Sequence, residues 1–579
     1  MTRFLTIGLT VMVLVALMLG SVLWARHLKD SVLGYRSPLV KHPVVGGGVT
    51  DPLVRRVVLV IVDGLRYDTS RQMPTLESLR QRGAHAVSLA PFPTVSQPTW
   101  TTLVSGAEPE INDAALVNEP YEAMRPITPD NLFAAARRAG LTTALAGNRW
   151  WQAMIPADLL DARYFAAETD AVADRRVTEA ALRFLKHFRP KLLVVHLTNV
   201  DAVAHDHGTV GHEYRQAALH ADQLISSIAD SMDLEQDVLL VTVDHGHIDQ
   251  GGHGGLEGEV RATPFVMVGS KVLPGAYGVI HQTDIAPTVA TLLGMAVPAW
   301  AQGTVLFPAL KMEPAQRAER GVYLAKQHVA LGEAYLTSIG MGELSEEVWG
   351  DARVAYSSLE VKNYESAYNL ANFAVQEVER EMRWARWRRI GQERLGRLSL
   401  AAVTILVPLV VLWWKRSKEA GLFLLAALLS TFLYHLVFLG QGNAYTVSAV
   451  ESLPSFLTAG ARGGLFAVIL GALVVLARLW RVGERSWLRM IISTQAFYLI
   501  QCYLLVAQLA FLYFLNGFGL TWYLPNPLLG FLQYLILVQL GATAAFSLPM
   551  PLFVALVHGG ALTIANRLWL RPQHAPGSE

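Results

Sequence analysis

VLLVTVDHGHIDQGGHGG, residues 238–255, is the stretch that decides the fold. A run of β-branched and aliphatic residues stops at Asp244 and His245, and a short glycine-rich loop then presents His253. Parallel strands covered on both faces read as continuous apolar runs, and ligands of open α/β sheets gather beyond the carboxyl ends of such strands. The stretch therefore reads as a buried strand emptying into a site. A carboxylate beside an imidazole, with glycines that let the backbone turn tightly around them, suits a divalent metal. An N-capping Asp followed by a solvated His-rich loop would use the same residues, so the choice rests on the remainder of the chain.

Similar apolar runs recur as VVLVIV from Val57, TTALAG from Thr142, LLVVHL from Leu192 and PFVMVG from Pro264, separated by helical patterns. Alternation of this kind predicts an α/β sandwich around a largely parallel sheet. The first run ends in Asp63. LLVVHL leads to Asp201, with His205 one helical turn on and His207 beyond it, and the opening stretch supplies Asp244, His245 and His253. Carboxylates at the ends of buried strands are costly unless something positive neutralises them, so their convergence implies metal ions or a cationic ligand.

Between the first and later runs lies LAPFPTVSQPTWTTLVSG, residues 89–106. Proline is tolerated in the first turn of a helix, so QPTWTTLV can begin one just after Ser96. A hydroxyl at a helix N-terminus sits where unpaired amides and the helix dipole favour an anion, which places Ser96 well for attack on phosphorus. A helix-capping serine is the ordinary alternative, and Thr94 is the competing hydroxyl.

Taken together, VDGLRYD, PTVSQP followed by TTLVSG, DxxxHxHG at Asp201, DHG at Asp244 and GxHGG at Gly251 resemble the alkaline phosphatase superfamily. The resemblance is to the branch of type I phosphodiesterases/nucleotide pyrophosphatases and the ethanolamine-phosphate transferases of GPI-anchor synthesis. It spans about residues 57–303 and includes TPFVMVG and QTDIAPTVATLLG near its end. It implies an alkaline-phosphatase-like sandwich and two divalent metal ions, most often zinc, with manganese as the alternative. One ion would be held by Asp63, Asp244, His245 and the nucleophile oxygen, the other by Asp201, His205 and His253. Two cations about 4 Å apart can clamp the attacking and leaving oxygens of an in-line displacement. The implied mechanism is two displacements through a phosphoserine on Ser96, with water or an alcohol as the second acceptor.

The chain also departs from its relatives. Where the nucleotide pyrophosphatases carry a phosphate-holding Asn, this sequence has Thr99, which becomes the substrate-binding candidate and puts a nucleotide substrate in doubt. The sulfatases need an Arg at the position of Trp100, which sets that reading aside. GxHGG follows DHG closely, as in the GPI-type transferases. His247 stands where the family commonly has Met, and the resemblance gives it no ligand role.

Composition supplies the setting. The 579 residues are 52% hydrophobic and only 16% charged, too apolar for an ordinary soluble protein. A net charge of +1 gives no footprint for a nucleic-acid partner. With a single cysteine, Cys502, no intramolecular disulfide can form. The pattern predicts an N-terminal anchor at 1–30, a linker at 31–51, the catalytic domain at 52–310 and a helical stalk at 311–397. A multi-span bundle at 398–570, of five or six spans, and a tail at 571–579 complete it. Trp384 and Trp387, interleaved with arginines, suit a bilayer interface or a solvated helix end.

Lys415, Arg416 and Lys418 fall in one loop between spans, and Arg478, Arg481, Arg485 and Arg489 in another, while 441–456 and 516–527 carry no Lys or Arg. The positive-inside rule then puts the catalytic domain on the external face, and the compact bundle suits a bacterial inner membrane. Arg26, Lys29, Arg36 and Lys41 oppose that orientation, although large domains translocate largely regardless of charge. The expected activity is that of a membrane-embedded phosphodiesterase or phosphoethanolamine-type phosphotransferase. Its substrate would be a phosphate ester, with a phospholipid headgroup or glycolipid as the lipid partner. A pyrophosphatase acting on soluble nucleotide diesters is the second enzymatic reading, and a catalytically silent membrane scaffold the reading from another class.

Overall fold

The computed structural model describes residues 2–46, 48–414 and 418–569. Eight strands form one sheet: β1 (Arg56–Val62), β2 (Ala84–Leu89), β3 (Thr143–Asn148), β4 (Ala162–Ala166), β5 (Leu192–Leu197), β6 (Asp237–Val243), β7 (Ala262–Gly269) and β8 (Gly275–His281). Their order is β4-β3-β5-β1-β6-β7-β2-β8. All neighbouring pairs are parallel except those made by β7, which runs against both β6 and β2. The sheet is therefore largely parallel, as its apolar runs require.

Register brings the chemistry together. Val62 lies opposite Leu197 on one side and Val243 on the other, so the chain leaves β1, β5 and β6 at the same edge. Asp63 and Asp244 are the next residues after β1 and β6. After β5 the chain enters the helix Asn199–His207, whose spacing puts Asp201 and His205 on one face.

Side chains of β1 alternate between two apolar layers. Val58, Val60 and Val62 pack with the helices on one face, including Tyr214, Ile225 and Ile228. Val57, Leu59 and Ile61 face the other layer, which continues without interruption through Leu292 into Val322, Leu331, Val378 and Met382. The helices Pro314–Ser338, Glu346–Glu360 and Tyr364–Trp414 thus share a core with the sheet. The last of these, 51 residues long, runs unbroken from that core into an apolar segment.

Among the described residues, six helices are long and apolar enough to cross a membrane: Arg3–Leu33, Tyr364–Val411, Glu419–Gly440, Leu453–Val482, Trp487–Asn516 and Pro527–Ser547. The helix Met550–Trp569 has a shorter apolar part, Met550–Ala561. Small residues let the bundle helices approach, with Gly460 facing Val538 and Gly464 facing Ala542. Arg478 pairs with Glu419 at 2.9 Å across two of the helices. At the other end of those helices Ser448 meets the sheet domain, as does Leu524 between two further helices, while Phe518 accepts from Trp24 of the N-terminal helix. Lys415, Arg416 and the segment 571–579 lie outside the described residues.

Candidate active site

Seven sequence candidates and one further histidine converge at the carboxyl edge of β1, β5 and β6. His245 Nε2 lies 3.3 Å from Asp244 Oδ2, 3.6 Å from Asp63 Oδ1 and 3.3 Å from Ser96 Oγ. On the other side of that imidazole, Asp201 Oδ1 lies 3.5 Å from His205 Nε2, and His205 Nε2 lies 3.2 Å from His253 Nε2. The rings of His245 and His253 stack at 3.9 Å between centroids, tying the two groups together. The further residue is His247, whose Nε2 is 3.1 Å from Asp201 Oδ1. Ligand atoms of Asp63, Asp244 and His245 lie within 4.8 Å of one another, as do those of Asp201, His245, His247 and His253.

The backbone fixes how three imidazoles present themselves. His245 Nδ1 contacts the Gly246 carbonyl at 3.2 Å, His247 Nδ1 that of Gly64 at 3.0 Å, and His253 Nδ1 that of Thr94 at 2.8 Å. A carbonyl can only accept, so each Nδ1 carries the proton and each Nε2 turns a lone pair inward.

Charge is uncompensated there. Burial, reinforced by Asp244 and Asp201, holds the Asp63 carboxyl well above its ordinary range, and burial raises Asp244 as well. Burial also pushes His245 down to about 3 and His253 well below the usual imidazole range. Asp63 Oδ1, Asp201 Oδ1 and His247 Nε2 are buried without hydrogen-bond partners. Neutral imidazoles and orphaned carboxylate oxygens are the donor set of a divalent cation, and the mixture of nitrogen and oxygen suits zinc better than magnesium.

Ser96 opens the helix Ser96–Ser105 and retains 8% exposure. The two other candidate residues of the segment, Thr94 and Thr99, have their hydroxyls committed elsewhere. Thr94 Oγ1 donates to the Gly255 carbonyl at 3.0 Å and accepts from Gly254 N at 2.9 Å, so it ties down the glycine loop. Thr99 Oγ1, fully buried, donates to Val95 O and Ser96 O of its own turn.

Sequence reasoning missed the residues behind the candidate ligands. His196, the one polar residue inside LLVVHL, holds Asp63 Oδ2 at 3.1 Å. Trp100 Nε1 donates to Asp244 Oδ2 at 2.9 Å. Asp174 accepts from the amides of Thr198 and Asn199 at 2.8 and 3.1 Å, satisfying the start of the helix that carries Asp201. For His196 the interrupting polar residue was a usable signal, and a buried Trp indole needs a partner; Asp174 left none.

A largely parallel sheet thus carries Asp/His clusters at its carboxyl edge opposite a serine at a helix N-terminus, the arrangement that the resemblance to the alkaline phosphatase superfamily implies. Residues 57–253 match the family model described as type I phosphodiesterase / nucleotide pyrophosphatase. The chain is 26% identical over 297 residues to the human GPI ethanolamine phosphate transferase 2 catalytic subunit, covering 47% of this chain and 30% of that protein. It is 28% identical over 286 residues to the mouse GPI ethanolamine phosphate transferase 3 catalytic subunit, covering 43% and 25%. It thus spans less than a third of these relatives' length. Among solved structures, human ectonucleotide pyrophosphatase / phosphodiesterase 5 is similar over 42% of this chain and 95% of that one, at 15% identity and a TM-score of 0.35.

Proposed function

We propose that the protein is a membrane-embedded, metal-dependent enzyme that splits a lipid-linked phosphodiester and passes the phospho-headgroup to water or an alcohol. The observation that carries this reading is Ser96 Oγ at a helix N-terminus, 3.3 Å from His245 Nε2 within the Asp63/Asp244 group. In it, Asp63, Asp244 and His245 hold one divalent ion, and Asp201, His205 and His253 the other, with zinc favoured. Bound there, the cations supply positive charge that lowers the pKa of the serine hydroxyl and neutralises phosphate oxygens.

Ser96 Oγ attacks phosphorus as the bond to the leaving alcohol breaks. The unpaired amides that open its helix face the phosphate oxygens. A second displacement by the acceptor breaks the Ser96 O–P bond and restores the hydroxyl. His196 and Trp100 keep Asp63 and Asp244 in orientation through both steps. Thr99 holds the first turn rather than the substrate in this account, because its hydroxyl is spent on backbone carbonyls.

The lipid assignment rests on architecture. Loops of the membrane bundle pack directly against the catalytic domain, and the names of the GPI-type relatives point to ethanolamine phosphate as the group moved. Those same loops lack Lys and Arg, which favours an external catalytic domain, and the compactness of the bundle favours a bacterial inner membrane. The test is full-length protein in detergent with headgroup-labelled phosphatidylethanolamine, beside soluble nucleotide diesters. Released or transferred phospho-headgroup, absent in Ser96→Ala with metal content unchanged, is the expected result. Turnover of nucleotide diesters with none of the lipid would replace this reading by the soluble-diester one.

A further inference from the structure

We propose that His247 is a direct ligand of the second metal ion, making that site a four-ligand one of Asp201, His205, His253 and His247. The inference rests on the reading of the cluster as a metal centre and assigns a role where the resemblance assigns none.

Position and tautomer come first. The His247 side chain is fully buried, and its Nδ1 donates to the Gly64 carbonyl at 3.0 Å. That contact leaves Nε2 as an unprotonated donor atom, aimed at Asp201 Oδ1 3.1 Å away. Neither atom has a hydrogen-bond partner. Two lone pairs facing each other in a buried space repel, and a shared cation relieves the repulsion. The distance agrees: two donors each about 2.0–2.2 Å from one zinc lie roughly 3–3.5 Å apart.

The surroundings select this ring for the second group. Its centroid is 5.2 Å from that of His205 and 5.1 Å from that of His253. Space for it is made by Gly64, where a Cβ would meet His247 Cε1 at 2.5 Å and Asp201 Cβ at 2.8 Å. Gly64 sits at φ +69°, so the glycine supplies both the turn and the room.

A fourth protein ligand changes what the second ion can do. Catalytic zinc sites keep a position open, whereas four protein ligands close a tetrahedral site. The second ion would therefore be held tightly and accept a substrate oxygen only by expanding its coordination. Ser96 and the first group would retain the open position.

The test is titration of chelator-stripped full-length protein in detergent with Co²⁺, following visible absorption and stoichiometry in wild type, His247→Met and His247→Gln. Wild type is expected to take two equivalents. In both variants the second equivalent should bind about 10- to 100-fold more weakly with a changed band, the first being unaffected. Glutamine keeps an amide donor toward Asp201, so full restoration in His247→Gln alone would show a hydrogen-bonding role and overturn the proposal. Unchanged affinity and spectrum in both variants would overturn it too, while leaving the metal-centre reading intact. Failure of the wild type to bind any Co²⁺ would overturn both. Melting of the stripped proteins checks that the variants fold.

Discussion

Ser448, in the loop between two membrane helices, accepts a hydrogen bond from the backbone of Gly255 at 2.8 Å and donates to Glu257 at 2.8 Å. The glycine loop that carries His253 is therefore clasped on one side by Thr94, from the catalytic domain, and on the other by the membrane bundle. At Gly252 the approach is backbone to backbone: a Cβ there would meet the Ser448 carbonyl oxygen at 1.8 Å. Gly252→Ala should push the two apart and cost activity on any substrate at least about tenfold, since misplacement of about 1 Å is expensive in a preorganised site. Ser448→Ala, which leaves the backbone contact, should cost less. Steady-state turnover and metal affinity of the two variants provide the check, and a Gly252→Ala enzyme equal to wild type would separate the bundle from the site.

Trp100 holds Asp244 through a single buried hydrogen bond at 2.9 Å. Trp100→Phe keeps an aromatic ring against Trp151 and His196 but frees the carboxylate oxygen to turn. Loss of such a partner behind a ligand typically costs about 10- to 100-fold in metal affinity or activity. Isothermal metal titration with kcat measured at saturating metal distinguishes the two components.

The strands that hold the site were readable because they are buried on both faces. Beyond Arg56 and Asp237 at their first positions, β1, β5 and β6 are interrupted by polar residues only at His196 and Thr242. β2 has a half-exposed alternating pattern, β4 is a short edge strand, and β8 is largely exposed with glycines at both 275 and 278. None of the three announces itself as a buried run. Nor does PFVMVG reveal that β7 runs backwards, since an apolar run encodes burial and not direction. The same holds at the site: a resemblance carries roles only where the residue types match, so it passed over His247, where this chain departs from the family. His196 and Trp100 were invisible as partners because their targets lie 133 and 144 residues away.

Glu110 is a junction between three parts of the molecule. It accepts from Arg386 Nη2 at 2.6 Å and Nε at 2.8 Å, on the long helix, and from the amide of Leu524 at 3.0 Å, between two membrane helices. Its backbone carbonyl accepts from Tyr35 OH, which also reaches Trp522. The carboxylate is mostly buried and Arg386 about one-third exposed, so the pair is partly screened. Glu110→Ala should therefore destabilise by roughly 1–3 kcal/mol, less than a fully buried pair, and Glu110→Gln by less. Thermal unfolding in detergent would show it, and unchanged melting in Glu110→Ala would mean the junction contributes nothing.

His196 should give the metal-free protein a pH dependence whose sign follows from its burial. Burial pushes its folded pKa down to about 4, against an ordinary value of 6.5. Below pH 6.5 the unfolded chain binds a proton that the native ring refuses until about pH 4, so this contribution to stability is present above 6.5 and lost as pH falls toward 4. Over that window it amounts to roughly 3 kcal/mol. Asp63 and Asp244, both raised, act in the opposite direction. A His196→Asn variant removes the titrating ring, so its deficit relative to wild type should be largest near neutral pH and shrink by roughly 2–3 kcal/mol toward pH 4.5. Unfolding of both chelated proteins across this range tests it. A deficit independent of pH would mean that His196 stabilises through packing against Trp100 and Trp151 alone.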